Sequence, residues 1–342
     1  MHTITAAGFG PGAELRGDVT LRHILAVLFS GSIALWSSLG LSQEWPSKPV
    51  RVVIPFAAGS VSEAIFRTMT PGVEAVLGQR FIVESKPGAD GAIGTGEVVR
   101  AAPDGYTLLL GPTAVYAVTP HMFANLGFDP LTALDPISLL ADAPLLAVVG
   151  AGVPANSLED LARYVRASPG KYNYGSPGSG SPAHLTGAAF SQQTGNAIVY
   201  VPYKGTPPMV QALLAGDIQV AFPTWTGIIG PVKAGKLKVL AVMARERMAE
   251  FPDIPTTIEA GFPQLVGGNW WVLAAPHGTG PRIIERLAAE FHRVLADSAV
   301  RKRIGELGHV PIGLGSAETA AFLRSESARY KTIVERGGIK PE

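Results

Sequence analysis

Short β-branched runs alternate along this chain with stretches whose apolar residues recur at helical spacing. Residues 50–55, VRVVIP, form one such run, which stops at a proline and meets Ala57-Ala58-Gly59-Ser60. Apolar positions then return at Ala64, Ile65, Met69, Val73 and Val76. That order predicts strand, loop and helix, and Ile82-Val83-Glu84 predicts the next strand. The same grammar recurs at residues 107–110, leading into Gly111-Pro112-Thr113, and at 145–149, 172–174, 197–201, 218–222 and 237–242. Helices are predicted over 158–167, 182–193, 207–215, 281–296 and 317–334. Start signals such as Asn156-Ser157, Ser181-Pro182, Thr206-Pro207 and Gly280-Pro281 precede them. Strands alternating with helices predict an α/β fold with parallel strands and right-handed crossovers. Apolar runs resume after irregular sequence near Asp142 and Asn269, so a lobe change is predicted at each. Lobe 1 then comprises residues 43–142 and 269–342, and lobe 2, residues 143–268, is inserted within it.

The first 42 residues follow a different pattern. Arg16, Arg22 and His23 stand just ahead of the uncharged run 24–43, ILAVLFSGSIALWSSLGLSQ. Basic, then apolar, then small is the order of a secretory signal, and Gly40 and Ser42 are small enough for signal peptidase, so cleavage is predicted near Ser42. An uncleaved membrane anchor is the competing reading, because the run approaches the roughly 20 residues that span a bilayer. Its serines and glycines dilute it, and the mature product is expected to be soluble outside the cytoplasm.

Charge and composition narrow the functional classes. Twenty-eight Lys and Arg oppose 27 Asp and Glu, a formal net charge of +1, which offers no field for nucleic acid or an anionic membrane. The absence of cysteine removes disulfides, thiolate nucleophiles, Fe–S clusters and cysteine zinc sites together. With 47% hydrophobic and 16% charged residues, the chain suits two globular lobes of roughly 100–150 residues each. Its 40 glycines and 28 prolines show no collagen-like period and are therefore spent on loops and turns.

Three of those loops are candidates for chemistry. Gly59-Ser60-Val61-Ser62-Glu63 follows the first strand, where backbone N–H groups at a helix start can hold a carboxylate without any arginine. An ordinary capping box of Ser60 and Glu63 is the structural alternative. Gly175-Ser176-Pro177-Gly178-Ser179-Gly180-Ser181-Pro182 forms a donor-rich rim ahead of a capped helix, or else a flexible connector. Gly205-Thr206-Pro207-Pro208, after Tyr203-Lys204, is a third capped start. No GxGxxG, phosphate loop or GxSxG elbow occurs in the glycine-rich loop, which argues against nucleotide binding and serine hydrolysis. His121, His184, His277, His292 and His309 are scattered, so neither a metal nor another cofactor is expected. Trp225, Trp270 and Trp271 suit either a cleft wall or core packing.

These motifs, in order, resemble a known family. Trp45-Pro46-Ser47-Lys48-Pro49-Val50-Arg51, the loop 55–60, Lys86-Pro87-Gly88-Ala89 and Pro103-Asp104-Gly105-Tyr106-Thr107-Leu108 are followed by Val201-Pro202-Tyr203-Lys204-Gly205 and Ala275-Pro276-His277-Gly278-Thr279. Together they resemble the periplasmic solute-binding proteins of tripartite tricarboxylate transporters, the family first named for uptake proteins of Bordetella. The resemblance implies a type II periplasmic-binding fold, with two α/β lobes joined by two crossing segments and closing on a small carboxylate. It implies ligand contacts at Ala57, Ala58, Gly59 and Ser60, with Thr113 and Ala114 on the neighbouring loop. From the second lobe it implies Ser176, Gly178, Gly180, Ser181, Tyr203, Gly205 and Thr206, with Thr224 and Trp225 as side walls. It further implies a monomeric receptor that is not an enzyme, uses no cofactor and delivers its ligand to membrane permease subunits. A ligand sensor for a signalling receptor and an exported hydrolase are the rival functions. Three departures bear on ligand choice: Ala58 stands where the family has a second glycine, Glu63 where it has an aspartate, and Asp90 where it often has a third glycine, which is expected to alter a surface turn.

Overall fold

In the computed structural model, residues 45–337 and 339 are described, apart from 124, 196 and 249–251, together with Thr3 and Gly8. The predicted signal segment and its cleavage site near Ser42 lie outside the described residues. The strands are β1 Val50–Ile54, β2 Phe81–Ser85, β3 Thr107–Pro112, β4 Leu134–Pro144, β5 Leu146–Gly150, β6 Tyr172–Ser176, β7 Ile198–Pro202, β8 Val220–Ala221, β9 Leu237–Val242, β10 Gly268–Pro276 and β11 Val310–Leu314. Helices of eight residues or more are α1 Val61–Leu77, α2 Ala92–Val99, α3 Leu158–Arg166, α4 Pro182–Gln193, α5 Thr206–Ala215, α6 Pro281–Ala296, α7 Ser298–Glu306 and α8 Ser316–Gly337. Among the described residues, no helix is long and apolar enough to cross a membrane.

Two sheets result. The first has six strands in the order β11-β4-β10-β3-β1-β2, and the second has five in the order β7-β6-β8-β5-β9. Parallel pairing is confined to β2-β1-β3 and β7-β6-β8, the strands joined through helices. β10 runs antiparallel to β3 and β4, and β5 runs antiparallel to β8 and β9. The α/β fold with parallel strands is found as expected, and antiparallel β4, β5, β9, β10 and β11 make both sheets mixed. β4 leads the chain out of the first sheet into β5 and β10 brings it back, so these two neighbours run antiparallel. β4 escaped the sequence pattern because its run LDPISLLADAP carries two prolines and two aspartates. Pro136 sits beside a register shift in the β4–β10 pair, where a missing N–H is tolerated.

Where β4 passes into β5 and the chain returns into β10, three backbone bonds close a ring. Leu145 N–H donates to Gly267 O (3.1 Å), Gly267 N–H to Met243 O (2.9 Å), and Met243 N–H to Leu145 O (2.9 Å). Thr113 secures the start of β10: its Oγ1, fully buried, accepts from Trp270 N–H at 2.8 Å and donates to Gly268 O at 3.4 Å. The first sheet packs through Phe66 on α1, Phe81 on β2 and Phe291 on α6, whose ring centroids lie 5.5–5.9 Å apart. α8 packs along β4 and also reaches α4, where Gln192 Nε2 donates to Ile333 O at 3.4 Å.

Candidate functional site

The parallel strands β1, β3 and β6 end at one cleft of about 390 Å³. Loops at the carboxyl ends of parallel strands are where α/β sheets place their ligands. After β1 come Phe56, Ser60, Val61 and Ser62; after β3 come Pro112, Ala114, Val118 and Thr119, followed by Met122 and Phe123. β10 adds Asn269 and Trp271, the turn ahead of α2 adds Asp90, and the glycine-rich loop adds Gly178, Ser179, Gly180, Ser181 and Pro182 from the far side.

Five of the ligand contacts implied by the family resemblance share this lining: Ser60, Ala114, Gly178, Gly180 and Ser181. Ala57, Ala58 and Gly59 form an exposed turn at its edge, closed by Ser60 N–H donating to Ala57 O (3.3 Å). Thr113 and Ser176 are buried behind the lining; Ser176 Oγ bonds Gly178 O (2.8 Å) and Tyr200 Oη (2.9 Å). Tyr203, Gly205 and Thr206 start α5 outside the lining, with Gly205 N–H donating to Pro177 O at 2.9 Å. Thr224 bridges to Leu145, and Trp225 packs with the second sheet's apolar cluster beside Gly308, away from the cleft.

The two loops differ in how they spend their donors. The capping box expected from Ser60 and Glu63 does not form, because the Glu63 carboxylate reaches past Ser60 to the residue before it. Glu63 Oε2 accepts Gly59 N–H (2.9 Å), while Ser60 makes no side-chain cap. That amide, with Arg67 Nε at 2.8 Å from Oε1, holds the Glu63 carboxyl below its usual range. Ser60 Oγ is left buried with no partner at the N-terminus of α1, on the cleft wall. The first amides of any helix lack intrahelical acceptors, so Val61 and Ser62 bring that positive pole to the lining.

Across the cleft, the glycine-rich loop is stapled to itself. Ser181 Oγ donates to Gly178 O (2.7 Å) and accepts His184 N–H (3.2 Å), capping α4. Gly180 N–H donates to His184 Nδ1 at 3.0 Å, so the ring's proton lies on Nε2 in its neutral form. The ring stacks on Tyr200 at 3.9 Å, and burial pushes its pKa down to about 4. Ser181 and His184 thus meet only through the His184 backbone N–H, and these two side chains form no nucleophile–base pair of the kind a hydrolase requires. No group of three metal-ligating side chains exists among the described residues.

The chain matches the family model described as "Tripartite tricarboxylate transporter family receptor" over residues 65–339. It belongs to that receptor family. The BugT protein of Bordetella pertussis is 32% identical over 297 residues, 86% of this chain and 91% of that one. A solved periplasmic binding protein, BugD, superposes with a TM-score of 0.69 at 30% identity, covering 87% of this chain and all of BugD. MatC of Rhodopseudomonas palustris, solved with bound malate, gives 0.69 at 30%, covering 85% and 100%. The receptor is accordingly a binding protein with this family's two-sheet fold, not an enzyme.

Its apolar cleft residues were the ones hardest to see in sequence. Trp270 and Trp271 alternate across β10 as strand neighbours must. Trp271 lines the cleft and donates from Nε1 to Ser62 Oγ (2.8 Å), whereas Trp270 turns into the core against Tyr116 and Phe322. The strand period would have placed Asn269 with Trp271. Phe56, Met122 and Phe123 carry no such signal, because only the fold brings their loops together.

Proposed function

We propose that this receptor is exported to the periplasm, captures a small organic carboxylate between its lobes, and delivers it as a monomer to the membrane subunits of a tripartite-type transporter. The lobes are residues 43–142 with 269–342, and residues 143–268, and ligand contacts are made from the sequence-derived set led by Ser60, Ala114, Gly178, Gly180 and Ser181. The observation that carries this reading is the buried, unpartnered Ser60 hydroxyl beside the N-terminal amides of α1. A carboxylate oxygen supplies what that hydroxyl lacks, and the helix terminus favours its charge without a basic side chain. MatC's malate is consistent with a ligand of that class. Closure follows from contacts that only the closed state makes with both walls.

A thermal-melt panel of mono-, di- and tricarboxylates, aromatic acids and amino acids tests the reading. A true ligand at a hundredfold excess over its Kd should stabilise the receptor by roughly 2.7 kcal/mol. Ser60→Ala should weaken that ligand by about tenfold, the worth of one hydrogen bond to a charged group. Stabilisation by a different solute class, with none from the panel, would reject it.

A further inference from the structure

The cleft of a carboxylate receptor would be expected to carry positive charge or none, yet among the described residues lining it the one formal charge is an acid, Asp90. Asp90 also departs from ordinary backbone geometry. With Ala89 it makes up the positive-φ non-glycine residues among the described ones, at φ 46° and 45°, between Gly88 at φ 134° and Gly91 at φ 91°. An alanine is disfavoured in this left-handed region by about 1–2 kcal/mol, so Ala89 carries the strain, whereas an aspartate tolerates it. The turn is tied to the cleft wall, since Thr119, itself on the lining, donates from Oγ1 to Asp90 O at 3.1 Å. No described side chain forms an ion pair or hydrogen bond with the Asp90 carboxylate. Asp90 is an exposed member of the lining, and its unpaired carboxylate repels a simple organic acid but complements a cationic nitrogen.

We infer that Asp90 is a specificity-determining residue and that the ligand is a zwitterion, carrying a carboxylate and an ammonium group on an apolar body. This rests on the carboxylate reading above and deepens it. The cleft then has two poles: Ser60 and the start of α1 take the carboxylate, and Asp90 takes the ammonium. Phe56, Met122 and Phe123 offer the intervening part an apolar wall.

Calorimetric titration of the full chain with matched pairs tests it: phenylalanine against 3-phenylpropanoate, leucine against 4-methylpentanoate, and glutamate against glutarate. At least one ammonium-bearing member should bind about tenfold or more tighter than its partner lacking the nitrogen. Asp90→Asn keeps a side chain that tolerates the same left-handed backbone and removes only the charge. It should bring that ratio close to one by weakening the zwitterion alone, whereas Ser60→Ala should weaken both members together. Equal or tighter binding of the nitrogen-free acids by the unaltered receptor, or a ratio unchanged in Asp90→Asn, overturns the role of Asp90 and leaves the carboxylate reading standing. Failure of both members of every pair, with another acid of the panel bound, overturns this inference alone; stabilisation by a different solute class, with none from the panel, overturns the carboxylate reading and this inference with it.

Discussion

Trp270→Ala should cost about 3–5 kcal/mol of folding stability, the range for removing a fully buried large aromatic. Trp270 is 1% exposed, with Tyr116 stacked at 6.1 Å and Phe322 edge-on at 5.1 Å. Its Nε1 also reaches Glu326 Oε2 at 3.4 Å, so the truncation empties a volume between the first sheet and α8 and strips one donor from a partly buried carboxylate. One wall is β10, a strand paired on both sides that cannot collapse inward without breaking its β3 and β4 pairings. Urea denaturation of the variant and the unaltered receptor measures the difference. A loss under about 1 kcal/mol would mean that α8 closes over the gap and that the packing described here is not what holds it.

A second large effect concerns Asp142, on β4 just before the crossing. Its Oδ1 is buried without a hydrogen-bond partner, and a Cβ on Gly268 would collide with its carboxylate. Burial, and then the nearby Glu326 charge, push its pKa up to about 7 from an ordinary 3.8, against smaller opposing effects of the Ala143 amide and Arg329. The folded receptor therefore holds a proton there that the unfolded chain releases, and stability falls as pH rises from about 4 through about 7. At 1.36 kcal/mol per pH unit the ceiling on that loss is about 4 kcal/mol. His184 acts in the opposite sense below pH 6.5, because its folded pKa is depressed and acid must charge a buried ring. The clean measurement is thus the difference between Asp142→Asn and the unaltered receptor, by denaturant unfolding from pH 4.5 to 8.5. Asp142→Asn should gain relative stability steadily up to about pH 7 and level off beyond it. A difference independent of pH would show that Asp142 is ionised in the folded state throughout.

What was legible in the sequence divides along physical lines. β1, β2 and β9 announce themselves because β-branched residues cluster between turn residues, and α3 and α4 because Ser157 and Ser181 cap them with their own hydroxyls. β4 and β10 are obscured: one is interrupted by Pro136 and Asp142, and the other begins with the glycine that lets two backbones approach. In the cleft, Ser60, Gly178 and Ser181 were readable because strand-to-helix turns are local features. Which amides are already engaged was not. Glu63, Ser176 and His184 have taken the N–H groups of Gly59, Gly178 and Gly180, and those pairings depend on side-chain directions that spacing leaves open. The turn carrying Asp90 was anticipated as an altered surface feature; its place on the cleft wall depends on Thr119, 29 residues further along.

The ring of bonds linking Leu145, Gly267 and Met243 is made wholly of main-chain atoms. A junction of that composition makes little demand on side-chain identity, since every donor and acceptor in it is a peptide group. On the closure and the Asp90 role proposed above, an exchange at Asp90 alters what the cleft accepts and leaves this junction untouched. Capture and movement would then be separable traits: one set by a few side chains around the cleft, the other by main-chain atoms alone.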